Sequence, residues 1–233
     1  MGERGADEAP RLGHPRLHLR ATDSTNTRAR ELAGAGAPHG TLVTAAEQTA
    51  GRGRQGRTWS APAGRALLCS VIIRDPPRLL PLAAGVAVAD VAGPGARLKW
   101  PNDVLIERRK VAGILVEGRP QEGWAVVGVG LNVALREADF PEELRDRAVS
   151  LGLGPEAIEP TLRRLLTALE VWLAAPPEAV LDAVRSRDAL RGREIHWAGG
   201  TGQAAGIDAD GRLLILTADG LRALDAGEVH LGS

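Results

Sequence analysis

The 233 residues allow one substantial core and a small appendage, not two large domains. Acidic and basic residues balance at 29 each, which argues against an obligate nucleic-acid binder. One cysteine excludes an internal disulfide, and no apolar run approaches the ~20 residues of a membrane span, so a reduced, cytoplasmic protein without a membrane partner is expected.

In chain order, residues 1–15 are polar and rich in Pro and Gly, which predicts a disordered tail. LHLRAT reads as a short strand, and DSTNTRARELAGAG as a helix with Asp23 or Ser24 as N-cap and Gly34 or Gly36 ending it. TLVTAAEQ and RALLCSVIIR are strands on either side of an arginine- and glycine-rich loop, and Cys69 in the second is a core thiol. LLPLAAGVAVADVAG is apolar and long enough for a buried helix. ARLKW then turns at PND into VLIERRKVAGILVEG, a hairpin with ERRK at its tip. GWAVVGVGLNVAL is a further strand, and PTLRRLLTALEVWLA and PEAVLDAVRSRDAL have helical apolar spacing. From Arg191 onward, short strands alternate with AGG, DADG, ADG and DAGE turns, the pattern of a small antiparallel barrel. The expected class is therefore α+β: a mixed β-sheet with helices over residues 16–188, then a small β-barrel over 189–233.

Several chemical motifs fail on inspection. GVGLNV has Val133 where the dinucleotide fingerprint needs its third glycine, and DADG at 208–211 lacks the closing Glu of a calcium loop. What remains is GRGRQGRTW at 51–59, which can present guanidinium forks and backbone N–H groups to phosphate or carboxylate oxygens, with Trp59 able to stack on a flat ring. Taken alone, this is equally a solvated loop or a sliver of Arg-Gly RNA-binding sequence, Ser24–Asn26 read better as helix caps, and KWPND is equally a plain turn. Only two of the 29 basic residues, Lys99 and Lys110, are lysine, a compact point charge where Arg is a planar fork.

Five segments in this order, DSTN at 23–26, AEQTAGRGRQGRTW at 46–59, KWPNDVL at 99–105, KVAGILVE at 110–117 and GVGLNV at 128–133, resemble the bacterial biotin protein ligases. The C-terminal stretch GIDADGRLLILTADG is similar to that family's small SH3-like barrel, and the preceding part to its biotin/lipoate ligase-like catalytic domain. The resemblance implies a two-step reaction. Biotin and ATP give biotinyl-5′-AMP, and a lysine of a biotin carboxyl carrier protein then takes the biotin. It further implies that Ser24, Thr25, Gln48 and, beside them, Asn26 hold the ureido end of biotin. Gly51, Arg52, Gly53, Arg54 and Gly113 would enclose biotin, and Arg52 and Arg54 would also cover the phosphate. Lys110 would hold carboxylate and α-phosphate together. Arg54, Trp59, Lys99, Asn102, Gly128 and Asn132 would face ATP, and Asp103 would orient Mg2+ or the incoming lysine amine.

Departures qualify the match. Gln55 stands where many relatives have another arginine, and the ending GEVHLGS lacks an arginine that some relatives carry near ATP. Residues 1–22 are too few for the winged helix-turn-helix of relatives that double as repressors, so no DNA partner is expected. Whether the chain forms a homodimer stays open. The rival readings are a lipoate–protein ligase of the same superfamily and a non-catalytic RNA-binding module. The first lacks a use for polar groups at the helix start, and one Phe with no Tyr leaves the second little for base stacking.

Overall fold

The computed structural model of the protein describes residues 12–225, 227 and 229–231. In chain order the elements are β1 (Arg16–Leu19), α1 (Thr25–Gly34), β2 (Leu42–Ala45), β3 (Ala66–Arg74), α2 (Leu80–Ala92), β4 (Arg97–Lys99), β5 (Asp103–Ile106), β6 (Arg109–Arg119) and β7 (Trp124–Asn132). They are followed by α3 (Ile158–Ala174), α4 (Pro177–Ser186), β8 (Glu194–Trp197), β9 (Gly200–Ile207), β10 (Leu213–Thr217), β11 (Gly220–Leu224) and β12 (His230–Leu231).

Seven strands form one sheet in the order β1-β2-β3-β7-β6-β5-β4, and β1 runs parallel to β2 while the other pairs are antiparallel. The sheet is therefore mixed, as expected. Its two faces follow from the period of two along each strand. On β3 the odd positions Leu67, Cys69, Val71 and Ile73 pack into the large core under α2, α3 and α4, together with Ala125, Val127, Val129 and Leu131 of β7. The helix α2 is apolar all round because it lies between the sheet and α3 and α4. On the opposite face, Ile72, Trp124, Val126 and Val43 meet Ala29 and Ala33 of α1 in a smaller cluster. The even positions nearer the middle of the sheet are Ser70 and Leu68 on β3, facing Gly128 and Gly130 on β7. There the α1 side is left open.

The hairpin between β5 and β6 pairs Ile106 with Arg109, so its loop is Glu107–Arg108 alone. Both have positive φ, 48° and 68°, as a two-residue hairpin turn of this hand requires. The C-terminal unit is a five-stranded antiparallel sheet in the order β11-β10-β9-β8-β12. It packs on the main core: Ile195, Ala204, Ile207, Leu213, Ile215 and Val229 belong to the same apolar cluster as α2–α4. Polar ties reinforce the contact, with Trp100 Nε1 donating to Gly211 O at 3.1 Å and Arg185 Nε to Ile207 O at 3.1 Å.

The tail requires a correction. Residues 1–11 lie outside the described part; of the next four, Leu12 and Gly13 are buried, while His14 and Pro15 are exposed. Leu12 is buried in the main core, its N–H donates to Glu170 Oε1 at 2.7 Å, and Gly13 N–H donates to Gly40 O at 2.8 Å. One leucine and a few backbone bonds outweigh the Pro/Gly composition that suggested disorder. Among the described residues, no helix is long and apolar enough to cross a membrane.

Burial pushes the Cys69 thiol up to about 12, so it stays protonated at neutral pH as well as inaccessible. An excess of a thiol-reactive disulfide should leave the native protein unlabelled and titrate one thiol in guanidinium. Rapid labelling of native protein would place Cys69 outside the core.

Candidate active site

The open middle of the α1 face is a cleft that opens to solvent. Its floor is a row without side chains. Gly113 of β6 pairs with Gly130 of β7, and Gly128 of β7 lies between Leu115 and Ser70. Each of these glycines admits a neighbour. A Cβ at Gly128 would lie 2.1 Å from Asn26 Oδ1, one at Gly130 2.5 Å from the Trp59 ring, and one at Gly113 3.2 Å from both Trp59 and Lys110. No larger residue fits without moving what faces it.

One end of the cleft is polar. Ser24, Thr25 and Asn26, at the start of α1, are all at most 4% exposed. Ser24 is the N-cap by backbone position, but its hydroxyl makes no capping bond. Asp23 instead steadies the entry: its carboxylate accepts from Ser24 N–H at 2.7 Å and from Arg28, which together hold its pKa down at about 2. The backbone N–H and hydroxyl of Thr25 lie 2.8 and 3.0 Å from Gln48 Oε1. Asn26 donates through Nδ2 to Glu117 Oε2 at 2.9 Å and to Leu115 O at 3.3 Å.

The other end is cationic. The loop 51–59 is a laced hairpin in which Gly53 N–H donates to Arg57 O at 2.7 Å and Trp59 N–H to Gly51 O at 2.9 Å. Gln55 takes the left-handed conformation at φ 54°. Arg52 reaches across to Glu117 Oε1 at 3.0 Å, and Arg54 points into the cleft, where burial lowers its pKa. Lys110 Nζ lies 2.6 Å from Asp103 Oδ1, Lys99 Nζ 4.0 Å from Asp103 Oδ2. The backbone of Lys110 is pinned, its N–H donating to Arg147 O at 2.7 Å and its carbonyl accepting from Val149 N–H at 2.9 Å. Burial pushes the Lys99 pKa down, and the neighbouring Lys110, Arg57 and Arg147 add to this, while Asp103 opposes it. Trp59 lies over the glycine floor with Lys110 Nζ 5.6 Å from its ring centre, and its buried Nε1 has no hydrogen-bond partner among the described residues. Asn102 lines the same end, its Nδ2 donating to Ile114 O at 3.1 Å.

The structure thus brings Ser24, Thr25, Asn26, Gln48, Arg52, Gly53, Arg54, Trp59, Lys99, Asn102, Asp103, Lys110, Gly113 and Gly128 to one cleft. Two expected residues stand apart from its lining. Asn132 is 4% exposed and spends its amide on Val149 O at 2.9 Å, fixing the segment that pins Lys110. Gly51 sits under the loop, where a Cβ would lie 2.2 Å from Trp59 O, so it permits the hairpin to close. Sequence reasoning missed Glu117, Gly130 and Ser70. The available signal was period two: on β7 the glycines fall on one face, and in ALLCSVIIR Ser70 is a polar residue in the middle of the corresponding face of β3, between Leu68 and Ile72.

The role of the floor generates a prediction. Gly130→Ala should force the Trp59 ring away and cost about 1–3 kcal/mol of stability, measured by chemical denaturation. An unchanged midpoint would show that the ring yields freely.

Comparison with known proteins gives the family. Residues 19–133 match the Biotin/lipoate A/B protein ligase family and residues 190–232 the Biotin protein ligase C terminal domain. The chain is 38% identical to the Biotin--[acetyl-CoA-carboxylase] ligase of Mycobacterium tuberculosis, covering 90% of this chain and 86% of that one. It is 35% identical to the ligase of the same name from Paracoccus denitrificans, covering 92% and 99%. The Bacillus subtilis Bifunctional ligase/repressor BirA is 34% identical over 95% of this chain and 75% of its own length. In three dimensions, the biotin protein ligase from Aquifex aeolicus in complex with biotin and ATP superposes with a TM-score of 0.78 at 30% identity, covering 94% of this chain and 99% of that one. Sequence and fold agree, and the chain belongs to the biotin protein ligases.

Proposed function

We infer that the protein is an ATP-dependent biotin–[acetyl-CoA-carboxylase] ligase. The observation that supports this most directly is the polarity of the cleft, with neutral hydrogen-bonding groups buried at one end and Lys99, Lys110 and Arg54 around the Asp103 carboxylate at the other. Biotin has the matching polarity, a ureido group on an apolar bicycle and a carboxylate on a chain. The relatives named above carry acetyl-CoA carboxylase as their target in their names, and the acceptor here is read as the lysine of its biotin carboxyl carrier domain.

In the first step a biotin carboxylate oxygen attacks the α-phosphorus of ATP. The bond from that phosphorus to the bridging oxygen breaks, and pyrophosphate leaves with biotinyl-5′-AMP formed. Two anions must approach each other, so fixed positive charge between them lowers the barrier. Lys110 is placed for that, held by its ion pair and by its pinned backbone. Arg54 and Lys99 add charge on the side of the phosphates, and Trp59 offers a ring face to the adenine. In the second step the acceptor amine attacks the acyl carbon, AMP leaves and an amide forms. The 51–59 hairpin over the cleft keeps water from the mixed anhydride, and Asp103 faces the incoming ammonium.

Magnesium ordinarily arrives on nucleotide phosphates with one or two protein carboxylates as ligands. Asp103 is engaged by two lysines, and among the described residues no group of three acidic, His or Cys side chains could hold a metal. The donor set is therefore not a metal site in its own right, and the steps above rest on the side chains alone.

A lipoate ligase is the one rival with a physical argument, and it fails on the buried polar end, which a dithiolane ring cannot satisfy. ATP–pyrophosphate exchange decides: it should depend on biotin and not respond to lipoate. Exchange driven by lipoate would overturn the assignment.

Lys110 supplies a sharper test of mechanism. A guanidinium in its place is wider and would crowd Gly113 and Trp59 while misplacing the charge. A misplacement of about 1 Å can cost on the order of 100-fold. Lys110→Arg should therefore lose about that much biotin-dependent pyrophosphate release, and Lys110→Ala at least as much. Arg109→Lys, at an exposed pair with Glu107, should be near neutral. Near-normal adenylation by Lys110→Arg would show that position 110 needs charge but not a slim one.

A further inference from the structure

The buried groups behind the polar end form a chain whose protons can be counted. Asn26 Nδ2 donates to the Glu117 carboxylate, so its Oδ1 must face the other way, towards Ser70. Three oxygen–oxygen contacts follow in line: Asn26 Oδ1 to Ser70 Oγ at 2.8 Å, Ser70 Oγ to Thr25 Oγ1 at 2.8 Å, and Thr25 Oγ1 to Gln48 Oε1 at 3.0 Å. Each needs one proton, and the two hydroxyls carry one each. Asn26 Oδ1 can only accept, so the Ser70 proton is committed to it. The Thr25 proton is then contested between Ser70 and Gln48.

Two facts favour Ser70, although the Thr25 hydroxyl is also within donating distance of Gln48 Oε1. Ser70 is fully buried at 0% exposure, whereas Gln48 lines the cleft and its Oε1 already accepts the Thr25 backbone N–H at 2.8 Å. Directing the Thr25 proton to Ser70 also makes the chain head-to-tail from an anionic acceptor, each bond polarising the next. Thr25 Oγ1 then turns unprotonated lone pairs to the cleft beside Gln48 Oε1, which holds only the Thr25 backbone N–H.

We propose that Ser70 is a positioning residue that fixes the Thr25 hydroxyl as an acceptor, so that the inner end of the cleft selects a ligand N–H donor. The proposal deepens the ligase reading above and rests on it. Ser70 does not line the cleft, so it acts on the ligand through Thr25 and Asn26, which do, and only the Thr25 hydroxyl has a proton whose direction Ser70 can set. A urea-type N–H relieves the proton deficit between the two acceptors, while a carbonyl or a dithiolane placed there does not. Removing the Ser70 hydroxyl releases the Thr25 proton to Gln48 and abolishes the preference.

Calorimetric binding of biotin and of its two mono-N-methyl ureido derivatives to wild type, Ser70→Ala and Ser70→Thr tests this. In wild type, methylation at the nitrogen facing Thr25 should weaken binding about tenfold or more, the scale of one buried hydrogen bond left unmade. In Ser70→Ala biotin itself should bind about tenfold more weakly, and the penalty for methylation should shrink several-fold. Ser70→Thr keeps the hydroxyl and should restore the discrimination. A purely structural role for Ser70 would weaken all three ligands alike and leave their ratios unchanged, and that result overturns the proposal. If thermal melting shows Ser70→Ala unfolded, Ser70→Cys takes its place, since a thiol is a poor donor and acceptor at nearly the same volume. Equal binding of all three ligands to wild type also overturns it. Absence of any biotin binding to wild type would instead sink the ligase reading itself, and the proposal with it.

Discussion

The cleft depends on backbone that carries no side chain. Gly113, Gly128 and Gly130 leave the centre of one sheet face bare, while the same strands present Val127, Val129 and Leu131 to the core on the other. Period two makes this separation possible, since a strand can be solid on one side and empty on the other. Every occupant of the cleft rests on that floor. Trp59 lies on Gly130, Asn26 turns its amide over Gly128, and Lys110 bends past Gly113. The core beneath is rigid because α2 is buried on all sides between the sheet and the outer helices. A flat, stiff floor fixes relative positions at both ends, which is what a reaction between two bound substrates needs.

Charge is distributed around that floor with a deliberate shortage of acid. Two carboxylates serve it, and both are occupied: Glu117 by Arg52, Arg30 and Asn26, Asp103 by the two lysines. Glu117 therefore links the arginine hairpin to the polar end through Asn26, so the loop and the ligand-head contacts share one anchor. At the other end, the depressed pKa of Lys99 and of Arg54 records cations held out of water. An arriving phosphate or carboxylate supplies the missing negative charge and raises both again.

Much of this was legible in the sequence, and the reasons differ from element to element. The tip of the β5–β6 hairpin could be read because apolar residues flank four charged ones, and the type of turn followed once its loop was known to be two residues. Lys110 and Asp103 could be read as chemistry because they sit in compact motifs. Ser70 could not, since a serine inside an apolar strand has no meaning until the face it occupies and the helix opposite are known. Asn132 shows the converse: its motif marked it as important, and the fold uses its side chain on backbone rather than on the cleft lining. Leu12 escaped because composition is averaged over a window, whereas burial is decided residue by residue.

The two lysines bring these levels together. In a chain that otherwise writes its positive charge as arginine, Lys99 and Lys110 are eleven positions apart in sequence, on β4 and β6, and converge on the same carboxylate. A guanidinium binds best through a planar, two-toothed fork, so two of them on Asp103 would saturate it from both sides and leave no donor turned outward. An ammonium meets the carboxylate with one proton and has others to spare. Lys110, 2.6 Å from Asp103, can therefore be held by the carboxylate and still offer a donor to an oxygen of a bound ligand, and Lys99, 4.0 Å away, is drawn to it by charge alone and keeps its donors. Position and availability conflict for arginine here and do not conflict for lysine, and that difference accounts for the exception the composition makes at these two sites.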